Sequence, residues 1–339
     1  MIKLFKIIVI VGLFFLLIAG CSSPKKWNLG DGIYAEIDTN KGPMVFRLYL
    51  AQAPLTVTNF VGLAEGTIKQ PRNSGKFYDG LKFFSKKENL MIISGDPQGS
   101  GAYIPGYTIP DEFAAGLSHK GPGYLSMVNN GPNTSGSQIF ITLSEASWLD
   151  NRNNLFGEIV EGQNVIPQLE VNDVIKTVKI LRVGDQYKDY KVDQNTFSNM
   201  LKSAWSRVET NKMDTIRGQE EIISEKYPGA LSTDSGLMTI VLKEGSGARP
   251  NEKNKVVITY SMSLLDGTIL VSSADKGKSK ELSFANMQKG LKEGLLLMKQ
   301  GEKRILISPP QLAFGSAGVK GTIPENAYII YEVTLEKIN

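Results

Sequence analysis

The sequence is poor in the side chains on which most metal and nucleophilic chemistry rests. It holds one cysteine, Cys21, and one histidine, His119, in 339 residues. A lone thiol cannot close an internal disulfide, and without companions it cannot build a zinc site. A lone imidazole lacks the partners of a catalytic or metal role, so His119, within Ser118-His119-Lys120-Gly121, is expected to be a structural loop residue. Charge of one sign is scarce as well. The formal net charge is +4, and no Lys/Arg cluster stands out, which argues against a nucleic-acid partner. There is no low-complexity tract and no internal repeat, and no cofactor is implied. The apolar run over 7–20 has 14 residues, short of the ~18–20 that span hydrocarbon as a helix.

Lys3 and Lys6 precede that run, which is the pattern of a secretory signal peptide. It ends in Leu17-Ile18-Ala19-Gly20-Cys21, which resembles the bacterial lipobox. There, small residues fit the signal peptidase and the cysteine thiolate accepts diacylglycerol. The resemblance implies a signal peptide over 1–20, a lipidated Cys21 and a polar tether over 21–32, held by acyl chains worth ~0.8 kcal/mol per buried methylene. The expected location is the cell envelope. Ser22 after the acylated cysteine favours the outer membrane, facing the periplasm. Loss of 1–20 removes two lysines and no acid, so the charge falls from +4 to +2. The length that remains suggests two domains, at ~100–200 residues each.

Residues 33–49 alternate around Asn40-Lys41-Gly42, a hairpin pattern. Pro54 suits a helix's first turn, Val57, Phe60, Val61 and Leu63 follow at helical spacing, and Gly66 stops the run. From 70 to 136 the chain is rich in Gly, Pro and Asn around short apolar strands, as in a small β-barrel with long functional loops. Phe197, Met200, Leu201, Ala204, Trp205 and Val208 predict an amphipathic helix or helical pair between about 190 and 226. It serves as a connector or as a dimerisation arm. Strand alternation resumes from 231, with Asp266-Gly267 as a hairpin turn and one helix carrying Leu291, Leu295 and Met298. This reads as an antiparallel sheet wrapped on one helix.

The run from Leu125 through Asn129-Asn130-Gly131-Pro132-Asn133 to Gln138-Ile139-Phe140 closely resembles the cyclophilin signature. Trp148-Leu149-Asp150, Phe156-Gly157-Glu158 and Gly95-Asp96-Pro97 match at the family's spacing, so the resemblance covers roughly 33–185. It implies a closed β-barrel with flanking helices that acts on X–Pro bonds. Rotating such a bond breaks amide resonance, against a barrier of ~18–20 kcal/mol. The prolyl nitrogen gains a lone pair in the twisted transition state, and a cation aimed at it favours that state over the ground state. In cyclophilins an arginine does this, helped by a glutamine. By position, Ser85 replaces the arginine and Ile93 the glutamine; Asn153 stands for a pocket histidine and Leu90 for a phenylalanine. The remaining pocket is Met91, Phe140 and Leu149, with Trp148 beside them and Asn129 and Gln138 to hold substrate backbone. The expectation is a domain that binds proline segments and isomerises them weakly or not at all. Lys86 and Lys87 are next door, where a one-residue slip would bring an ammonium round.

Residues 231–339 resemble the FKBP family through Asp266-Gly267-Thr268, Gly290-Leu291-Lys292-Glu293-Gly294 and the stretch from Leu312-Ala313-Phe314-Gly315 to Ile323-Pro324-Glu325. The resemblance implies a dry aromatic pocket that prefers the twisted amide, with a backbone N–H fixing the substrate carbonyl. Carried over, the catalytic positions are Tyr260, Phe314, Tyr331 and the amide of Gln288. Leu270, Val271, Met287, Leu291 and Ile323 complete the binding surface. Val271 replaces the usual aspartate, Leu291 a tryptophan floor and Leu270 a phenylalanine, and Phe314 lacks a tyrosine hydroxyl. Activity is therefore expected to be reduced.

The whole reads as two domains joined by a helical linker over 186–230. The expected function is an envelope-anchored prolyl isomerase (rotamase) and foldase acting on proline-containing segments of unfolded or envelope proteins. The alternatives are a non-catalytic chaperone and an accessory subunit of an outer-membrane protein complex.

Overall fold

The computed structural model describes residues 27–70, 75–273 and 279–339. The expected signal peptide, Cys21 and the tether up to residue 26 lie outside the described residues. Among those described, no helix is long and apolar enough to cross a membrane.

The first domain opens on the expected hairpin, β1 (Gly32–Thr39) and β2 (Gly42–Leu48), which turns at Gly42 with φ +124°. Helix α1 (Pro54–Glu65) starts on Pro54 and ends at Gly66, whose φ of +73° favours glycine. A Cβ there would lie 2.3 Å from the Gly75 carbonyl, so the chain can turn back only with glycine at this point. Then follow β3 (Ser85–Lys87), β4 (Met91–Ser94), β5 (Tyr124–Met127), β6 (Ile139–Thr142), β7 (Leu155–Glu161) and β8 (Ile175–Val183). They form one eight-stranded sheet in the order β3-β4-β6-β5-β7-β2-β1-β8.

The expected closed barrel is not formed. The sheet is a curled half-barrel with β3 and β8 at its two ends. Strand β3 is three residues long, so the seam carries only the isolated bridge between Lys82 and Val174 and a few backbone hydrogen bonds beside it, such as Phe83 N–H to Asp173 O at 2.9 Å. Flanking helices are also few. Helix α1 covers the core, with Phe60, Val61 and Leu63 fully buried among Ile37, Phe46, Ile92 and Ile141.

Helix α2 (Gln194–Lys226) is a single 33-residue helix rather than a pair. The Asp193 carboxylate accepts from the Thr196 N–H and caps its start. Its first half belongs to the first domain, where Phe197 and Ala204 are buried in the core and Tyr187, Tyr190 and Val192 precede them there. Its last turns belong to the second, where Ile223 packs with Ile307, Tyr328 and Ile330.

The second domain holds β9 (Leu231–Ser232), β10 (Met238–Lys243), β11 (Lys255–Leu264), β12 (Ile269–Ser272), β13 (Lys280–Ser283), α3 (Lys289–Leu297), β14 (Lys303–Ser308) and β15 (Ile329–Ile338). The sheet order is β12-β11-β15-β14-β10-β9, with β13 pairing β11. Helix α3 lies close on the sheet because two of its residues have no side chain. A Cβ on Gly290 would meet Ser308 Oγ at 2.0 Å, and one on Gly294 would meet Leu306 at 2.2 Å.

Candidate active sites

In the first domain one row of the sheet gathers three of the positions singled out from sequence. Ser85 pairs with Ile93, and Ile93 pairs with Phe140, across β3, β4 and β6. Directly paired residues share a face, so these three side chains lie side by side on the outside of the half-barrel. Alternation puts Ile92 and Ile141 in the main core and leaves Met91, Ile93, Phe140, Ala146 and Leu149 as a separate buried cluster, joined by Phe84, Leu90 and Val128. Ile93 is 7% exposed and presents only hydrocarbon where an amide was looked for. Trp148, 55% exposed, stands at the rim beside Leu149 on a short 3₁₀ turn. Phe84, Val128 and Ala146 were missed from sequence; the pairing register that selects them is not written in any local pattern.

The two amides expected to hold substrate are engaged with their own chain. Gln138 Nε2 donates to the carbonyls of Gly101 and Tyr103 at 3.1 and 3.0 Å, and Asn129 Nδ2 donates to Arg152 O at 2.6 Å. Asn153, at the histidine position, donates to Met127 O at 3.0 Å. Lys86 lies on the opposite side of β3 from Ser85, paired with Ile92, and its ammonium is 2.6 Å from Glu170. It is therefore turned away from the pocket. Lys87 shares the face of Ser85 opposite Met91, with its side chain exposed.

His119 lies in a loop, as expected, and is fully buried there. Its ring stacks on Phe140 at 5.9 Å, and its Nδ1 lies 2.7 Å from Asp150 Oδ1. Burial pushes the Asp150 carboxyl up, but the hydrogen bonds from Ser118 and from the His119 amide and ring outweigh it and hold it below the usual carboxylate range. The imidazole thus props the pocket's aromatic wall from behind. Asp96 braces the neighbouring loop in the same way. Burial opposes its ionisation, while the Gln98 and Gly101 amides and Ser100 bring its pKa below normal.

In the second domain the structure gathers the expected pocket. Leu291, Ile323 and Tyr331 are buried in one cluster, with Tyr260, Leu270, Met287 and Phe314 packed against it. Tyr260 and Tyr331 come from paired strands one step apart, since Tyr331 pairs with Met262. Burial pushes the Tyr331 hydroxyl far up, and it has no hydrogen-bond partner among the described residues. Gln288 is the residue before the first turn of α3, which brings its backbone amide to the helix's positive end. Val271 on β12 pairs with Met262 on β11, and Ile323 is fixed by a tight two-way bond with Val319, at 2.8 and 2.9 Å. Sequence reading missed Lys280, whose ammonium sits 5.9 Å from the Tyr260 ring centre.

Residues 34–185 match the family described as cyclophilin type peptidyl-prolyl cis-trans isomerase, and residues 247–336 match the FKBP-type peptidyl-prolyl cis-trans isomerases. Among curated relatives, the chain is 41% identical over 136 residues to peptidyl-prolyl cis-trans isomerase A of Mycobacterium tuberculosis, covering 38% of this chain and 75% of the relative. This chain belongs to the peptidyl-prolyl cis-trans isomerases. Its cyclophilin-type domain is also 39% identical over 137 residues to isomerase B of Streptomyces anulatus, covering 39% of this chain and 78% of that one. Among solved structures, FkpA from Escherichia coli is similar at 29% identity with a TM-score of 0.36, over 46% of this chain and 74% of that one. In the cyclophilin-type domain Met91, Phe140 and Leu149 form one buried apolar cluster with Ile93, and in the FKBP-type domain Leu291, Ile323 and Tyr331 form another.

Proposed function

We propose that the chain is an envelope-anchored prolyl isomerase in which the FKBP-type domain performs turnover and the cyclophilin-type domain mainly grips. The Ser85–Ile93 pair carries this reading, because it places a short hydroxyl and a hydrocarbon where a cation and an amide would face the prolyl nitrogen. Losing one such transition-state donor costs ~10²–10³ in rate. The FKBP-type mechanism needs less. Its apolar cavity disfavours the polar planar amide, and the Gln288 N–H holds the carbonyl while Tyr260, Phe314 and Tyr331 surround the ring. Substrates are proline-containing segments of unfolded or extracytoplasmic proteins.

The anchor is read from the lipobox-like stretch 17–21, with Cys21 as the acylated residue and the outer membrane as its site. Metabolic labelling with a clickable fatty acid, against Cys21→Ala, tests it; label retained by the variant refutes acylation at that residue. The isomerase reading is tested by turnover on Xaa-Pro peptides. Activity abolished by Phe314→Ala, with the cyclophilin-type pocket intact, is expected. Activity that persists in that variant at the parent level overturns the division of labour.

A non-catalytic chaperone is the second reading. The exposed Trp148 beside an intact apolar cluster favours it, since such a rim binds without needing an electrophile. Suppressed aggregation with no turnover in any form of the protein would select it. Stoichiometric capture with a membrane complex would instead select the accessory-subunit role.

A further inference from the structure

The two domains meet across a cavity of about 600 Å³ that neither pocket accounts for. Residues 132–134 of the cyclophilin-type domain form one wall, 316–317 and 325–326 of the FKBP-type loop form the other, and α2 from Trp205 to Thr215 is the floor. Each wall is close in sequence to one of the two proposed proline sites. Asn133 is four residues beyond Asn129, and Glu325 is two beyond Ile323.

The walls are fixed in advance. Trp205 Nε1 donates to Thr108 O at 3.3 Å. Asp111 N–H donates to Asn133 Oδ1 at 2.9 Å, and Asn133 N–H donates back to Asp111 Oδ2 at 3.0 Å. Gln219 Nε2 donates to Asn326 O at 2.9 Å. A preformed groove binds at a lower ordering cost.

Its chemistry is also one-sided. Asn211 and Ser316 bring polar side chains to it for peptide N–H and C=O groups, while the Thr134 and Thr215 hydroxyls already donate to Gly131 O and Asn211 O. Glu209 and Glu325 line it against the ammonium of Lys212, which already lies 3.8 Å from Glu209, and Asp111, bonded to Asn133 of the wall, adds negative charge beside it. Asp111 keeps Oδ1 buried with no hydrogen-bond partner among the described residues, and the Glu325 carboxylate repels it across the domain boundary. A cation between the two would relieve that repulsion.

We propose that this groove is a client subsite for an extended stretch of unfolded polypeptide, with a lysine or arginine held between Asp111 and Glu325 and prolines reaching the two flanking pockets. The inference rests on the isomerase reading for the identity of those pockets.

The test uses the full chain and fluorescent peptides that carry two prolines separated by about 6 or about 12 residues, reaching roughly 20 and 40 Å when extended. Each is made with lysine or glutamate midway between the prolines. At one of the two spacings the lysine peptide is expected to bind about tenfold more tightly than the glutamate peptide, a charge discrimination of the size a desolvated pair can give. Glu325→Lys and the groove-filling Asn211→Trp, both at exposed positions, should abolish the preference while leaving turnover on a single-proline tetrapeptide unchanged. Equal binding of both peptides at both spacings, or a preference that survives both variants, overturns the proposal. So does a self-associated form in sedimentation that Asn211→Trp dissolves, since the groove would then hold a second copy. Absence of tetrapeptide turnover in the parent protein refutes the isomerase reading alone, and the lysine preference still decides the groove.

Discussion

Gln219, on the helix between the domains, holds the stem of the FKBP-type loop at Asn326 by a bond of the kind strands make. Its Nε2 donates to Asn326 O and its Oε1 accepts from Tyr328 N–H, both at 2.9 Å, and Tyr328 Oη donates to Glu220 at 3.0 Å. One side chain thus does the work of a neighbouring strand for the segment that carries Ile323. Gln219→Ala should cost ~1–3 kcal/mol, because two partly buried backbone groups lose their partner. It should raise KM for proline peptides more than it lowers kcat. Gln219→Glu keeps the acceptor for Tyr328 and loses the donor, so it should fall between the two. Melting and steady-state kinetics check both; an alanine variant with parental KM would show the loop is held elsewhere.

The second prediction concerns repair. In the segment 27–213, which keeps the part of α2 packed on the first core, Ser85→Arg with Ile93→Gln should raise turnover by ~10²-fold. The arginine would start from the pocket face, since Ser85 and Ile93 are paired neighbours there. A folded double variant with no gain would mean that the pocket itself no longer seats proline.

A third prediction follows from the close approach of α3 to the sheet. Gly290→Ala drives a methyl into Ser308 Oγ, and overpacking of this kind typically costs ~1–3 kcal/mol. Because Leu291 follows in sequence and lines the pocket, turnover should drop along with stability. Adding Ser308→Gly removes the clash and should restore part of both. Calorimetry of the single and double variants measures the coupling.

The fourth concerns pH. Burial, opposed by the Asn133 amide and aided by Glu325, pushes the Asp111 carboxyl up to about 6. The folded state therefore holds a proton that the unfolded chain releases, and stability from this group is lost as pH rises from about 4 through about 6. Asp111→Asn should flatten that slope and stabilise the protein by about 1 kcal/mol near neutrality, after discounting for the solvent that still reaches the site. Asn133 N–H keeps an oxygen acceptor in the variant. Asp96 and Asp150 act in the opposite sense, since their lowered pKa values give stability that is lost as pH falls below the ordinary carboxylate range. Urea titrations across pH separate the two effects.

What could be read from sequence was local. Pro54 and Gly66 bracket α1, Gly42 turns the first hairpin, and Phe197 to Val208 repeats at helical spacing, each a signal contained within a few turns of chain. The pocket positions were legible through family resemblance, and Leu291, Ile323 and Tyr331 share one buried hydrophobic cluster. The open seam was not legible, because it depends on how Lys82 meets Val174 across 91 intervening positions of sequence. The burial of His119 and the reach of Gln219 escaped for the same reason: both are set by partners distant in sequence, Phe140 and Asn326.

The short strand at the seam has a consequence for the company this protein keeps. Unfolded chains seek free sheet edges, and a long apolar edge would recruit them into aggregates. Strand β3 offers three residues, two of them lysines, and then the chain turns away. Such an edge disfavours a further strand instead of templating it, so this end of the half-barrel is a poor seed for sticky, unfolded segments.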